Sequence, residues 1–196
     1  LAARGVGLDE LGAFLDPTLR DQLPDPSSLL GMDEAVARIV RAVTDGEEIA
    51  VFADYDVDGA TSAALLARFF GALGRAVTVY VPDRLTEGYG PNSSALRGLR
   101  DHGVSVVVTV DCGTTAYEAL AEAAAIGLDV IVVDHHVAEP ELPEAVAVIN
   151  PNRLDEASEH GQLAAVGVTF LLVVALNRAL RDAGWYGHGH AEPALM

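Results

Sequence analysis

The stretch VFADYDVDGATS, residues 51–62, places three aspartates between an apolar run and a run of small residues. The apolar run EEIAVFAD predicts a short β-strand, and the segment ATSAALLARFFGALG predicts the helix that follows it. Gly59 lets the chain turn between the two. Like charges this close together repel one another, so a strand that ends in Asp54, Asp56 and Asp58 raises the question of what compensates them.

The same unit of strand, turn and helix recurs along the chain. Four more apolar runs predict strands, namely AVTVYVPD, VSVVVTVDCG, LDVIVVDHH and AVAVIN. Further helices are predicted for the segments NSSALRGLRDHG, TAYEALAEAAAIG and AVGVTFLLVVALNRALRDAG. Strands that alternate with helices are typical of a parallel sheet covered on both faces. We therefore predict an α/β fold with a mainly parallel five-stranded sheet.

Another helix precedes the first strand. The segment MDEAVARIVRAVTDG has helical spacing, with Asp33 as its predicted N-cap and Gly46 as its predicted C-terminal stop. We divide the chain into a helical lead-in (1–45), an α/β catalytic domain (46–186) and a tail or truncated junction (187–196).

Composition narrows the class of protein. The chain has 196 residues, of which 51% are hydrophobic, and its formal net charge is −17. Proteins that bind nucleic acid along many phosphates carry a basic face, so an acidic chain would use few contacts, bound cations or parts outside this sequence.

The single cysteine, Cys112, excludes an internal disulfide and fits a cytoplasmic protein. No apolar run is long enough to span a membrane, so we expect no membrane partner.

Carboxylate and imidazole side chains follow three of the predicted strands. In an open parallel sheet the carboxyl ends of the strands share one edge, where ligands bind, so we expect these side chains to converge. They are Asp54, Asp56 and Asp58 after the first strand, Asp111 after the third, and Asp134, His135 and His136 after the fourth.

Converging carboxylates need a cation to stay ionised together. Carboxylates with imidazoles favour Mn²⁺, with Mg²⁺, Fe²⁺ and Co²⁺ as competitors. The ligands outnumber the needs of one ion, which predicts two ions about 3.5–4 Å apart with a shared carboxylate. Taken singly, an aspartate after a strand is more often a helix N-cap or a turn former than a metal ligand. A calcium loop is excluded because its twelfth position is Leu65.

The ordered motifs ADYDVDG, VTVDCG and VVDHH resemble the DHH phosphoesterase superfamily. PDRLTEGYG and INPN narrow the resemblance to its bacterial 5′→3′ exonucleases specific for single-stranded DNA. The resemblance implies catalytic roles for five residues: Asp56 and Asp58 would each bind one ion, Asp111 would bridge both, His135 would be a ligand, and His136 would contact the scissile phosphate. It also implies that Asp54 is a ligand or supports the ligands from behind, and that Asp134 supports them.

The resemblance also implies parts that 196 residues cannot hold. These are a further aspartate ligand, a second domain across the cleft and an oligonucleotide-binding fold. We therefore expect an N-terminal fragment without full activity. Single-stranded DNA would be the substrate in recombination and repair, with a single-stranded-DNA-binding protein and a helicase as partners.

Three residues outside the ligand motifs are candidates for binding nucleic acid. Arg84 has the fork that suits a 5′-phosphate or backbone phosphate, with a solvated loop arginine as the alternative. Tyr89 either stacks on a base or packs against its own loop. The backbone near Gly167 either meets a phosphate or allows close packing of the last helix.

Two other functions remain open. The first is a phosphodiesterase of the same superfamily that acts on very short oligonucleotides or cyclic dinucleotides, which the segment EGYG and the aspartate at position 54 disfavour. The second is a non-catalytic replication scaffold, which is disfavoured because every ligand motif within the chain is present.

Overall fold

Five β-strands lie parallel to one another in a single sheet, as predicted. The structure is a computed structural model, and it describes residues 5–193. The strands are β1 (Glu48–Ala53), β2 (Thr78–Tyr80), β3 (Val104–Val110), β4 (Asp129–Val133) and β5 (Ala147–Ile149), in the sheet order β2-β1-β3-β4-β5. The helices are α1 (Leu11–Leu15), α2 (Leu19–Gln22), α3 (Met32–Asp45), α4 (Val57–Ala72), α5 (Ser93–Asp101), α6 (Tyr117–Ala125) and α7 (Ala165–Asp182), with 3₁₀ turns at Pro26–Ser28 and Trp185–His188.

Both faces of the sheet are covered because alternate strand residues are apolar on both sides. Val51 and Val108 face a core shared with α3, α4 and α7. Phe52 and Val107 face a second core shared with α5 and α6. Side chains alternate along a strand, so the apolar runs of β1, β3, β4 and β5 leave neither face of these strands for solvent.

The helix before the first strand begins earlier than predicted. Its N-cap is Gly31, at a φ of +80°, and not Asp33, which lies in the first turn and accepts a hydrogen bond from Ser27 (2.7 Å). A Cβ atom at Gly31 would lie 2.8 Å from the Val148 carbonyl oxygen, so close contact with β5 determines where this helix starts. Its end at Gly46, at a φ of +77°, is as predicted.

The end of the lead-in and the C-terminal 3₁₀ turn both pack on α7. Leu29 and Met32 from the lead-in are buried in the core that contains α7. At the other end, Tyr186 donates a hydrogen bond to Asn177 on α7 (2.6 Å). Residues 1–4 and 194–196 lie outside the described residues. The divisions at 45/46 and 186/187 stay predictions. None of the helices between residues 5 and 193 is long and apolar enough to cross a bilayer.

Candidate metal centre

The carboxyl ends of four neighbouring strands lie in register, and each is followed by a polar residue. Ala53 pairs with Val110, which pairs with Val133, which pairs with Ile149. Backbone hydrogen bonds continue this register one residue further, from Asp54 to Val110, from Asp111 to Val133 and from Asp134 to Ile149 (3.0–3.2 Å). The predicted convergence is therefore observed. The row of residues at this edge is Asp54, Asp111, Asp134 and Asn150.

Asp56 is the N-cap of α4. Its Oδ1 accepts hydrogen bonds from the amides of Asp58 (2.9 Å) and Gly59 (3.1 Å). The bond from Gly59 is the largest cause of a lowered pKa at Asp56, so this carboxylate stays ionised. The helix consequently begins at Val57, before the predicted start at Ala60. Asp58 therefore lies in the first turn of this helix, because the Asp56 cap accepts hydrogen bonds from the first amides.

Gly59 permits the start of α4 to lie against the end of β1. A Cβ atom at this position would lie 2.2 Å from the Asp54 carbonyl oxygen and 2.9 Å from the Asp54 nitrogen. Gly59 does not have a positive φ, so it is required for close approach and not for the turn that the sequence suggested. The close approach brings the aspartates of β1 and α4 to one edge of the sheet.

Asp111 is the buried centre of the cluster. It is 1% exposed, and at a φ of +61° it is the one described non-glycine residue in the left-handed region. Neither carboxylate oxygen accepts a hydrogen bond from a described residue. His135 Nε2 lies 3.3 Å from Oδ1, but at an angle that does not suit a hydrogen bond. Burial, with the neighbouring Asp56 carboxylate, raises the pKa of Asp111 to about 7. A buried carboxylate without a donor is costly, and a bound cation would remove that cost.

Asp134 organises the two histidines behind the cluster. Its Oδ1 accepts from the His135 amide (2.8 Å) and lies 2.7 Å from His136 Nδ1, while Oδ2 accepts from the Thr114 amide (3.2 Å). Burial alone would raise the pKa of Asp134, but these hydrogen bonds outweigh burial and lower it. Burial likewise opposes a charge on His136, and the ion pair with Asp134 outweighs it and raises the His136 pKa.

The described side chains fit a pair of divalent ions. There are two groups of three residues, and in each group one ligand atom from every residue lies within 4.8 Å of those from the other two. Asp111 belongs to both groups. Asp58 belongs to neither, but its Oδ2 lies 3.9 Å from His135 Nε2. Oxygen and imidazole donors around an unpartnered buried carboxylate suit Mn²⁺ or Mg²⁺. The two groups are Asp111, His135 and His136, and Asp54, Asp56 and Asp111.

Arg84 lies at the rim of the cluster and is held by aromatic rings. Its guanidinium lies 4.1 Å from the centroid of the Tyr55 ring and 5.3 Å from that of Tyr89. It also lies 3.4 Å from both carboxylate oxygens of Asp54. Tyr89 in turn donates to the Asp111 carbonyl oxygen (3.1 Å). Both Arg84 and Tyr89 are therefore placed beside the cluster, whereas sequence reasoning missed the participation of Tyr55.

Gly167 makes different contacts. Its amide donates to the Ala164 carbonyl oxygen (2.8 Å), and a Cβ atom there would lie 3.2 Å from Leu163 Cδ2. It also borders an apolar groove beside Pro17 of the lead-in. These contacts favour the packing alternative, and a phosphate contact at Gly167 stays a prediction.

Two asparagines of the motif INPN support the histidines, a role that the sequence did not assign. Asn150, fully buried, donates to the His136 carbonyl oxygen (2.8 Å) and to the Thr114 hydroxyl (3.0 Å). Asn152 donates to the His135 carbonyl oxygen (2.5 Å). One signal was available, because Asn150 follows its strand as the aspartates follow theirs.

We expect Asn150→Asp to lower both stability and Mn²⁺ affinity. The substitution replaces a donating amide by a carboxylate that faces the His136 carbonyl oxygen, which costs about 2–4 kcal/mol. Displaced histidines should weaken Mn²⁺ binding about 10–100-fold. Urea unfolding and calorimetry measure the two effects. Asn177→Asp, at a buried asparagine on α7, should lose stability with unchanged Mn²⁺ affinity; an equal loss of affinity there would contradict a specific role for Asn150.

Comparison with known proteins connects this geometry to one family. The model of the DHH family, N-terminal domain, matches residues 48–188. The single-stranded-DNA-specific exonuclease RecJ of Bacillus subtilis (strain 168) is 38% identical over 182 residues, which make up 93% of this chain and 23% of the Bacillus protein.

Solved structures agree with the sequence comparison. A crystal structure of exonuclease RecJ bound to manganese matches with a TM-score of 0.70 and 35% identity, over 84% of this chain and 40% of that chain. The structure of RecJ in complex with Mg²⁺ from Thermus thermophilus matches with a TM-score of 0.55 and 30% identity, over 86% of this chain and 19% of that chain. The chain thus spans less than half the length of these relatives.

Proposed function

The chain belongs to the DHH family, and from this premise we propose that it is the catalytic part of a RecJ-type phosphodiesterase. Its reaction is the removal of nucleotides from the 5′ end of single-stranded DNA. The observation that carries the proposal is the row of strand-end residues around Asp111, whose buried carboxylate accepts no hydrogen bond from a described residue. The manganese and magnesium complexes of RecJ support the same chemistry.

In this proposal the residues divide the work by position. Asp56, Asp58 and His135 would hold two divalent ions, Mn²⁺ in preference to Mg²⁺, and Asp111 would be a ligand to both. Asp54 belongs to the same group of possible ligands but also pairs with Arg84, so it supports the site from the rim. When bound, such ions lower the pKa of water and neutralise charge on a phosphate.

His136 is the residue of the chain best placed to hold the scissile phosphate. Its Nδ1 is engaged by Asp134, which leaves the Nε2 side of the ring free to donate to a substrate oxygen. The Asp134 carboxylate raises the pKa of His136 and so favours the cationic imidazole, and a cation suits a phosphate better than a neutral ring does. Arg84 supplies a second cation at the rim, and the Tyr89 ring offers a face for a base.

The proposal extends to the setting in which the protein works. A single-stranded-DNA-binding protein, a helicase, a cytoplasmic location and a role in recombination and repair belong to it through the family resemblance alone. The alternatives are a phosphodiesterase for short or cyclic oligonucleotides and a scaffold without catalysis.

With Mn²⁺ present, we expect the full-length protein to release the label from 5′-labelled single-stranded DNA in the first turnovers. Asp58→Asn should lower the rate by more than about 100-fold. Loss of a residue that hydrogen-bonds to a metal ligand costs about 10–100-fold, and loss of the ligand itself should cost more. Asp101→Asn, an exposed change at the end of α5, serves as the control and should leave the rate unchanged. Gel analysis of the products measures both.

Three results would contradict the proposal. Retention of the 5′ label until late times would reverse the polarity. Faster cleavage of cyclic dinucleotides than of long single strands would favour the small-substrate enzyme. Binding of DNA without any cleavage that depends on Mn²⁺ would favour the scaffold.

A further inference from the structure

The loop that carries Arg84 and Tyr89 has little support from the sheet. It runs from residue 81 to residue 92 and follows β2, an edge strand of three residues. Val79 and Val81 at this edge are 45% and 48% exposed. Because the strand is short and most of the loop is exposed, the loop depends on hydrogen bonds made within it and on the contacts of Arg84 and Tyr89 with the cluster.

The Glu87 side chain accepts three hydrogen bonds that hold this loop. Its Oε2 accepts from the Tyr80 hydroxyl at the end of β2 (2.5 Å) and from the Asn92 side chain at the cap of α5 (3.2 Å). Its Oε1 accepts from the Asp83 amide at the start of the loop (2.8 Å). A single carboxylate therefore ties together the strand before the loop, the loop itself and the helix after it.

Two partners of Glu87 are themselves held by the elements on either side of the loop. Tyr80 stacks on Phe52 of the core strand β1, with ring centroids 5.1 Å apart. Asn92 accepts from the Ala95 amide as the N-cap of α5 (2.9 Å). The hydrogen bond from Tyr80, followed by the one from Asp83, lowers the pKa of Glu87, so the acceptor remains a carboxylate at neutral pH. Within the described residues, neither group of possible metal ligands contains Glu87 or a partner of it.

We propose that Glu87 is a positioning residue that holds Arg84 and Tyr89 in place to bind single-stranded nucleic acid. This inference rests on the proposed function. Glu87 acts through the loop: Arg84 must stay between the Tyr55 and Tyr89 rings, next to Asp54, for its fork to meet a phosphate beside the metal cluster. A free loop would let this cation leave the site, and substrate would bind more weakly while the metal ligands stay unchanged.

The first test needs no nucleic acid. Trypsin cleaves after arginine, and cleavage after Arg84 requires the loop to open. Loss of three hydrogen bonds in Glu87→Ala should speed this cleavage about tenfold or more. Glu87→Gln, which keeps one acceptor oxygen, and Tyr80→Phe, which removes one donor, should give smaller increases. Glu144→Ala, at an exposed glutamate before the opposite edge strand, should change nothing. Unchanged cleavage in Glu87→Ala would overturn the proposal.

The second test separates a positioning role from general loss of structure. In the presence of Mn²⁺, fluorescence anisotropy with a 5′-phosphorylated oligothymidylate should show a similar loss of affinity in Glu87→Ala and Arg84→Ala. The double variant should lose less affinity than the sum of the two single losses, and calorimetry should show wild-type Mn²⁺ affinity in Glu87→Ala. Additive losses, or weaker Mn²⁺ binding in Glu87→Ala, would overturn the positioning role. If the wild type fails to bind the oligonucleotide at all, the proposed function fails, whereas trypsin still decides whether Glu87 holds the loop.

Discussion

Replacement of Asp111 by asparagine is expected to abolish Mn²⁺ binding and to make the metal-free chain more stable. Asp111 is the residue shared by both groups of possible ligands, so no pair of ions can form without its carboxylate. In the absence of metal the same carboxylate is a cost, because it is 1% exposed and lies beside Asp56. An amide of the same shape removes the buried charge.

The gain in stability should depend on pH with a definite sign. Folding raises the pKa of Asp111 from its ordinary value of 3.8 to about 7. Stability from the protonated group is therefore fully present below pH 3.8 and is lost as pH rises through about 7. Asparagine does not titrate, so its advantage should be small near pH 4 and reach about 2–4 kcal/mol above pH 8.

Urea unfolding in EDTA at several pH values, with Mn²⁺ calorimetry, measures both halves of this prediction. Asp101→Asn, the exposed aspartate at the end of α5, should alter neither Mn²⁺ affinity nor the pH dependence of stability. Excess Mn²⁺ should reverse the order, with the wild type more stable than Asp111→Asn. Tight Mn²⁺ binding by Asp111→Asn would refute a shared ligand at this position. Equal free energies of unfolding for the wild type and Asp111→Asn in EDTA at pH 8 would show that burial of the Asp111 carboxylate costs no stability.

Gly59→Ala is expected to cost about 3 kcal/mol or more and to weaken Mn²⁺ binding. The added methyl would lie 2.2 Å from the Asp54 carbonyl oxygen, and that atom belongs to backbone that cannot rotate away. Relief of the clash must move the start of α4 away from β1. Asp56 and Asp58 would move with it, so the ligands of the cluster would separate.

Gly71→Ala in the same helix is the matched control. A Cβ atom at Gly71 meets no described atom within 4 Å. Alanine in a helix is favoured over glycine, so this variant should gain about 0.5–1 kcal/mol with unchanged Mn²⁺ affinity. Urea unfolding of the two variants should therefore give shifts of opposite sign. A stabilising effect at both positions would show that α4 and β1 are not in close contact.

The sequence by itself determined the architecture and the place of the site. Apolar runs too continuous to have a wet face, alternating with helical segments, require a doubly covered parallel sheet. The handedness of the crossovers then brings the carboxyl ends of all strands to one edge. Asp54, Asp111 and Asp134 could therefore be expected together, although the segments between them are long.

Only the tertiary structure decided how the side chains at that edge act on one another. The hydrogen bonds that the Asp58 and Gly59 amides donate to Asp56 determine where α4 starts, and the contact of Gly59 with Asp54 leaves no room for a Cβ atom, which would lie 2.2 Å from the Asp54 carbonyl oxygen. The support of His136 by Asn150 and the placement of Arg84 over Tyr55 join segments distant in sequence. Periodicity and strand order place residues to within a few ångströms. The energy of a hydrogen bond or a steric contact changes from favourable to unfavourable over less than one ångström. These partners are therefore determined only when the packed chain sets the distances between them.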